Sequence, residues 1–348
     1  MPFISTSRKQ AFRHRLARWY KRQGRHDLPW RGAFAPYQVL VSEFMLQQTT
    51  VATVIPYFHR FLRSFPTVEK LARSPLEKVL ERWAGLGYYA RARNLHRTAK
   101  ILVRDYGSRL PLTRDQAESL PGVGPYTAGA LLSFAHNLPE ALVDGNVIRV
   151  LARVFGVKED PRQPAVRRHL WALAQSLVPP NGGRHYNSAL MDFGATVCTT
   201  GLPDCPACPL SSLCWARRND WVQRLPVPKP DSPKTVVRLS ALVVTQDGRI
   251  LLRRRPLGGL WGGLWELPTL EGPVVRGQPV VVAGGEIVPV GQRGAARHVL
   301  SHRDLRVDLW EGRLVRPIHK SKWVRLSAVR SKAVSALTAK LIDQSTAL

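Results

Sequence analysis

Within the run Val39-Leu40-Val41-Ser42-Glu43-Phe44-Met45-Leu46 a single carboxyl group stands among apolar side chains. Nothing about folding asks for an acid there. Burial disfavours the charged form of a carboxyl group, so Glu43 is placed to hold its proton near neutral pH and to act as an acid. A second acid, Asp144, opens VDGNVIRVLARVFG, in which Val147, Ile148, Leu151, Val154 and Phe155 fall along one helical face. By residue preference Asp144 is an N-cap and Asn146 a solvated first-turn residue. The same position suits a carboxylate that stays ionised, because a helix N-terminus favours anions. All four cysteines lie close together, Cys198, Cys205, Cys208 and Cys214, in the pattern C-x6-C-x2-C-x5-C. Four thiols on one short loop series point to a metal or iron–sulfur site, and zinc and a [4Fe–4S] cluster both accept such a set.

These residues need a scaffold. From residue 8 to 220 apolar positions recur at three and four, with Pro36, Pro56, Pro66, Pro75 and Gly107 marking boundaries, so this region reads as helical almost throughout. Phe12, Leu16 and Trp19 define one face of a first helix. LPGVGPYTAGALLSFA, residues 120–135, places a turn containing Gly122, Val123 and Gly124 between a short helix over 114–119 and a longer one. That layout either presents backbone N–H groups to a phosphate or simply joins two core helices. LPVPKPDSP, residues 225–233, has four prolines and reads as an extended spacer. Beyond it VVRLSALVVTQDGRILLRRR predicts two strands around a QDGR turn, VPVG, LRVDLW and GRLVR predict further short strands, and 333–342 a closing helix.

The chain has 348 residues, 52 Lys and Arg against 24 Asp and Glu, and a formal net charge of +28. The basic residues are spread through folded segments, which favours a polyanionic partner, nucleic acid ahead of a membrane surface. No apolar stretch approaches the roughly 18 to 20 residues of a membrane span and no signal-peptide core follows the N-terminus. A soluble cytoplasmic protein is expected, associated with the nucleoid in a prokaryote.

LPGVG followed by VDGNV and then C-x6-C-x2-C-x5-C resembles the helix–hairpin–helix DNA glycosylases that carry a [4Fe–4S] cluster, over residues 8 to about 220. Bifunctional relatives such as endonuclease III have a Schiff-base lysine where this chain has Tyr126, which cannot form one. LPWR (28–31), SEFMLQQT (42–49) and GLGYYARARNLH (85–96) resemble MutY-type adenine DNA glycosylases. The resemblance implies a mostly α N-terminal region of two helical lobes with an iron–sulfur loop (1–220), a Pro-rich linker (221–235) and an α+β Nudix-like domain (236–348). It implies a monofunctional enzyme of base excision repair that removes adenine mispaired with 8-oxoguanine or guanine, acting as a monomer on double-stranded DNA, with the four cysteines holding the cluster.

Under that resemblance Glu43 protonates adenine N7 and Asp144 stabilises the sugar cation, the two-carboxylate logic of glycoside cleavage. Tyr126 bonds the acid or substrate and Asn146 orients the reacting groups. Gly122, Val123 and Gly124 grip the backbone, while Gln48, Thr49, Leu86 and Tyr88 enter the stack near the oxidised guanine, and Gln47 gives polar support. Trp30, Arg31 and Ser188 belong to the base pocket, Ser188 standing where relatives carry Gln or Glu. GGLWGGLWELPT (258–269) is similar to the segment leading into a Nudix metal helix, yet only Glu266, Glu271 and Glu286 follow, so Mg²⁺-dependent pyrophosphate hydrolysis is not expected. The family's Phe-Ser-His lesion loop corresponds to Leu300, Ser301 and His302, with Leu offering no π-face to a base.

Overall fold

The computed structural model describes residues 5–230 and 233–346. It divides into two compact units: one runs to Arg73 and resumes over Arg97–Pro230, the other joins Ser74–His96 to the chain beyond residue 231. The sequence placed 74–96 with the helical region. In the structure these residues are tied to the C-terminal unit. Tyr89 donates to the Val334 carbonyl (3.1 Å), Arg93 to that of Gly262 (2.6 Å), and the Trp265 indole donates to Glu77 (3.1 Å).

The first unit is helical, as expected. Its opening helix, Thr6–Gln23, is capped by Ser5, whose hydroxyl accepts from the Arg8 amide (3.3 Å), and buries Phe12, Leu16, Trp19 and Tyr20. Trp19 meets Phe193 of the helix Arg184–Thr196 edge to face at 5.3 Å. Each such side chain stabilises the docking by roughly 1.5 to 3 kcal/mol. The helix Pro36–Leu46 begins on proline, pre-set for a first turn, and is buried on every side from Val39 to Met45, so it runs through the interior. Arg114–Glu118 is the short helix before the glycine turn, capped by Thr113. After the turn Pro125–Ala130 is α-helical and Leu131–Ala135 widens into a π turn.

Among the described residues of the second unit nine strands form two sheets: β1 Thr235–Val243, β2 Thr245–Gln246, β3 Arg249–Arg254, β4 Trp265–Glu266, β5 Thr269–Glu271, β6 Val280–Val282, β7 Gly285–Val299, β8 Arg303–Arg316 and β9 Ser321–Arg325. One sheet has the order β5-β1-β8-β7-β6, with β1 and β8 parallel; the other is β2-β3-β4 with β9 on β3. The QDGR turn joins β2 to β3, and Asp247 and Gly248 both take the left-handed conformation that a two-residue hairpin demands. LRVDLW and GRLVR, read as separate short strands, are one 14-residue strand, β8. Gly312 opens the second of these segments and pairs with Pro289 beside a register shift in which Val290 of β7 is the extra residue, so β8 runs through the bulge instead of ending there. The closing helix is Ala336–Thr346.

Candidate active site

Glu43 lies in the middle of the buried helix and is 4% exposed. Desolvation pushes its carboxyl up to about 7, opposed by a hydrogen bond from Tyr126 and by the Arg31 charge. Its Oε2 has no hydrogen-bond partner among the described residues. That is costly for a buried polar atom unless a later partner takes it up.

Glu43 lines a cavity of about 930 Å³ together with Tyr126, Asp144 and Asn146. Asp144 caps the helix Gly145–Phe155: Oδ1 accepts from the Val147 amide (2.8 Å) and Oδ2 from Asn146 Nδ2 (3.0 Å). Burial raises this carboxyl as well, but both donors and the Arg149 charge draw it back toward the ionised form. The two acids therefore differ in what touches them: two donors hold Asp144, while one oxygen of Glu43 is free. Burial and the two carboxyl charges raise the Tyr126 phenol, which remains a donor.

Asn146 is itself held. Its Oδ1 accepts from Arg149 Nη2 (2.7 Å), which also donates to the Gly194 carbonyl (2.6 Å), while Arg149 Nε donates to the Cys198 carbonyl (2.7 Å). A Cβ on Gly194 would stand 2.7 Å from that of Asn146, so only glycine lets the first turn of the helix Gly145–Phe155 sit this close to the helix Arg184–Thr196.

Arg31 reaches the cavity with Trp30, which is buried edge-on against Phe58 at 5.4 Å. Asp192, wholly buried, fixes Arg31 through both carboxyl oxygens (2.6 and 3.0 Å) and accepts from the Arg25 amide and Nε, each at 2.8 Å. Asp192 and Arg25 were missed in the sequence. The signal was present, since Asp192 in SALMDFG is an acid in an apolar helix just as Glu43 is. Ser188 is buried, its hydroxyl has no partner among the described residues, and it is not among the cavity's lining residues. The helix that carries Ser188 lines the cavity through Met191, Gly194 and Ala195.

Gln48, in the left-handed conformation, and Thr49 also line the cavity. Gln47 donates to the Gly122 carbonyl and the Thr127 hydroxyl (both 3.3 Å), linking the end of the Glu43 helix to the glycine turn. Gly122 has φ +79°, which a side chain would strain, and Gly122 and Gly124 are exposed while Val123 is buried.

The four cysteines are free thiols and all line a second, small apolar cavity. Arg153 donates to the Cys198 sulfur (3.4 Å) and the Cys214 thiol to the Arg153 carbonyl (3.4 Å). Burial pushes the Cys208 thiol up to about 11 and those of Cys205 and Cys214 upward, with the neighbouring cysteines adding to it. Such thiols ionise readily only with a cation among them. Among the described residues no three His, Cys, Asp or Glu groups are arranged to hold one metal ion.

In the C-terminal unit the turn between β7 and β8 presents Ser301 and His302 to solvent, while Leu300 packs against the core. Tyr88 is 49% exposed and its hydroxyl lies 3.0 Å from that of Ser301. Leu86 is 5% exposed and, unlike Tyr88, buried. Glu266 is 5% exposed and bound by Arg253 (2.7 Å) and Arg255 (2.6 Å), which leaves it no capacity to hold a cation. No helix of the described residues is long and apolar enough to cross a membrane.

Residues 41–176 match the model of the HhH-GPD superfamily base excision DNA repair proteins, and 240–344 that of the NUDIX domain. The chain is 36% identical to the adenine DNA glycosylase of Rattus norvegicus over 95% of its own length and 77% of the relative's. It is 38% identical to that of Buchnera aphidicola over 74% of its length and 73% of the relative's. Among solved structures a thermostable thymine-DNA glycosylase superposes with a TM-score of 0.57 at 31% identity, over 61% of this chain and 98% of that one. The helical architecture around the Glu43 cavity and the relatives that share it lead to one assignment: the chain belongs to the adenine DNA glycosylases, hydrolases of N-glycosyl bonds in base excision repair.

Proposed function

We propose that this chain removes adenine mispaired with 8-oxoguanine or guanine in double-stranded DNA, without strand cleavage of its own. The observation that carries the chemistry is the unpartnered Oε2 of a buried Glu43 on a cavity it shares with Asp144. Adenine must leave the stack to reach such a group. Glu43, protonated up to about pH 7, donates to N7, making the base a leaving group; Tyr126 orients the acid. As the bond lengthens, positive charge develops at C1′. Asp144, kept anionic by the Val147 and Asn146 donors, faces that charge until water adds. Arg149 holds Asn146, and through it the Asp144 carboxylate, in place. No lysine is among the residues lining the cavity, which favours hydrolysis by water over a Schiff base.

Recognition of the oxidised guanine is assigned to Ser301 and His302, with Tyr88 beside them. The glycine turn at Gly122 and Gly124 is suited to a backbone phosphate, and the chain works as a monomer. Cys198, Cys205, Cys208 and Cys214 would hold a [4Fe–4S] cluster. Four thiols lining one cavity supply the four thiolate ligands that such a cluster takes. Bound there, the cluster would brace the 198–214 loop. Brown protein with a broad visible absorption is expected, and a colourless zinc-only preparation overturns this part.

The test of function is incubation with an A:8-oxoguanine duplex followed by alkali. Strand scission only after alkali, and no borohydride-trapped adduct, are expected. Absence of scission under single-turnover conditions refutes the proposal, and a trapped adduct points to a lyase instead.

A further inference from the structure

Three adjacent strands of the larger sheet carry an arginine at the same level. Arg238 on β1 is the register partner of Arg306 on β8, and Arg306 is the partner of Arg297 on β7. Directly opposed residues project to the same face, with strands about 4.8 Å apart, so three guanidiniums stand in a rank about 10 Å wide. All three are exposed. Like charges set opposite one another destabilise a sheet, which gives folding no reason for this arrangement.

The surroundings say what the rank faces. Further along, Leu242 of β1 and Val244 just beyond its end enter a hydrophobic core, but at Val236 and Arg238 the face is open to solvent. The acids on this stretch are Asp304 and Asp308. Asp304 is shared between Arg297 (2.9 Å) and Arg306 (3.8 Å) and is lowered further by Lys234; Asp308 lies one level further along, and Arg238 makes no ion pair among the described residues. The rank is therefore a net cation, two residues from the turn that exposes Ser301 and His302.

We propose that Arg238, Arg306 and Arg297 form a phosphate-binding stripe for the backbone of duplex DNA beside the Ser301–His302 turn. A width of about 10 Å spans roughly three phosphates of one strand at about 3.4 Å of axis each. The stripe carries no sequence information; it would hold the turn against the duplex whatever base is presented. The inference rests on the family's action on DNA and not on the roles assigned to Glu43 and Asp144.

The experiment measures the affinity of the full chain for an undamaged duplex as a function of salt, with base release from A:8-oxoguanine measured separately at saturating enzyme. R238Q/R306Q should lower the slope of log affinity against log salt by about 2, since each phosphate contact contributes about 0.9, and leave single-turnover release unchanged. D304N removes the acid from the stripe and should tighten binding, a gain that misfolding cannot produce. An unaltered slope in R238Q/R306Q, with an unchanged melting temperature, overturns the stripe. A changed slope in a chain that releases no adenine would instead refute the catalytic reading alone.

Discussion

Two glutamates are buried to the same depth in the two units, Glu43 at 4% and Glu266 at 5% exposure, and they have opposite fates. Glu266 is enclosed by Arg253 and Arg255, so its charge is fully matched and chemically spent. Glu43 meets one phenol and leaves an oxygen bare beside a cavity. Burial alone does not distinguish a structural acid from a working one. The difference lies in the partners the fold supplies: a matched pair holds strands together, and an unmatched oxygen holds a proton for something not yet bound. Asp192 lies between the two cases, matched like Glu266 but positioning an arginine at the same cavity as Glu43.

The comparison fails most visibly if the acid can be dispensed with. Glu43→Gln should lower single-turnover adenine release by about 10³-fold while duplex binding persists, the size expected of a general acid. Asp144→Asn should cost roughly 10²- to 10³-fold, as loss of a charge facing a developing cation does, and it should leave the thermal midpoint less affected than the rate. Glu266→Gln reverses the pattern: release per folded molecule is unchanged, and chemical denaturation shows a loss of about 2 to 3 kcal/mol because two arginines lose their partner.

A pH series sharpens the same contrast more gently. Release should fall as pH rises through about 7, where Glu43 gives up its proton, and the Glu266→Gln variant should show the same profile. Stability carries the matching sign. The folded chain keeps the Glu43 proton where the unfolded chain releases it, so this contribution is intact below the ordinary glutamate pKa and is lost as pH rises to about 7. The difference between wild type and Glu43→Gln isolates it, and a difference independent of pH would show that the carboxyl is not raised.

Glu43, Asp144, the glycine turn and the cysteines were legible because each departs from what its own neighbours require: an acid among apolar residues, a cap followed by a polar first turn, glycines before a helix, four thiols in one loop. Arg149 and Asp192 act through groups far along the chain, Cys198 for one and Arg25 and Arg31 for the other. Local pattern marks Asp192 as an acid in an apolar helix but offers no view of the pairs either residue makes. Strand length failed for the same reason, since Gly312 reads as a break until its partners on β7 are known. The alternation of β1 did foretell a sheet, but which strand lies beside it, the distant β8, is a property of register and not of β1.

The segment Ser74–His96 gives the C-terminal unit a discontinuous chain, and this sets an order of assembly. It is synthesised well before the strands that receive it: Leu80 awaits Gly263, and the Tyr89 hydroxyl awaits the Val334 carbonyl. About 250 residues follow His96, so at about 5 to 20 residues per second the helix bearing Leu80 and Trp83 waits on the order of ten to fifty seconds for its partners. Severing the chain after Pro230 would leave the apolar face of that helix without its strands. The two units are thus bound to a common fate during synthesis, before either meets DNA.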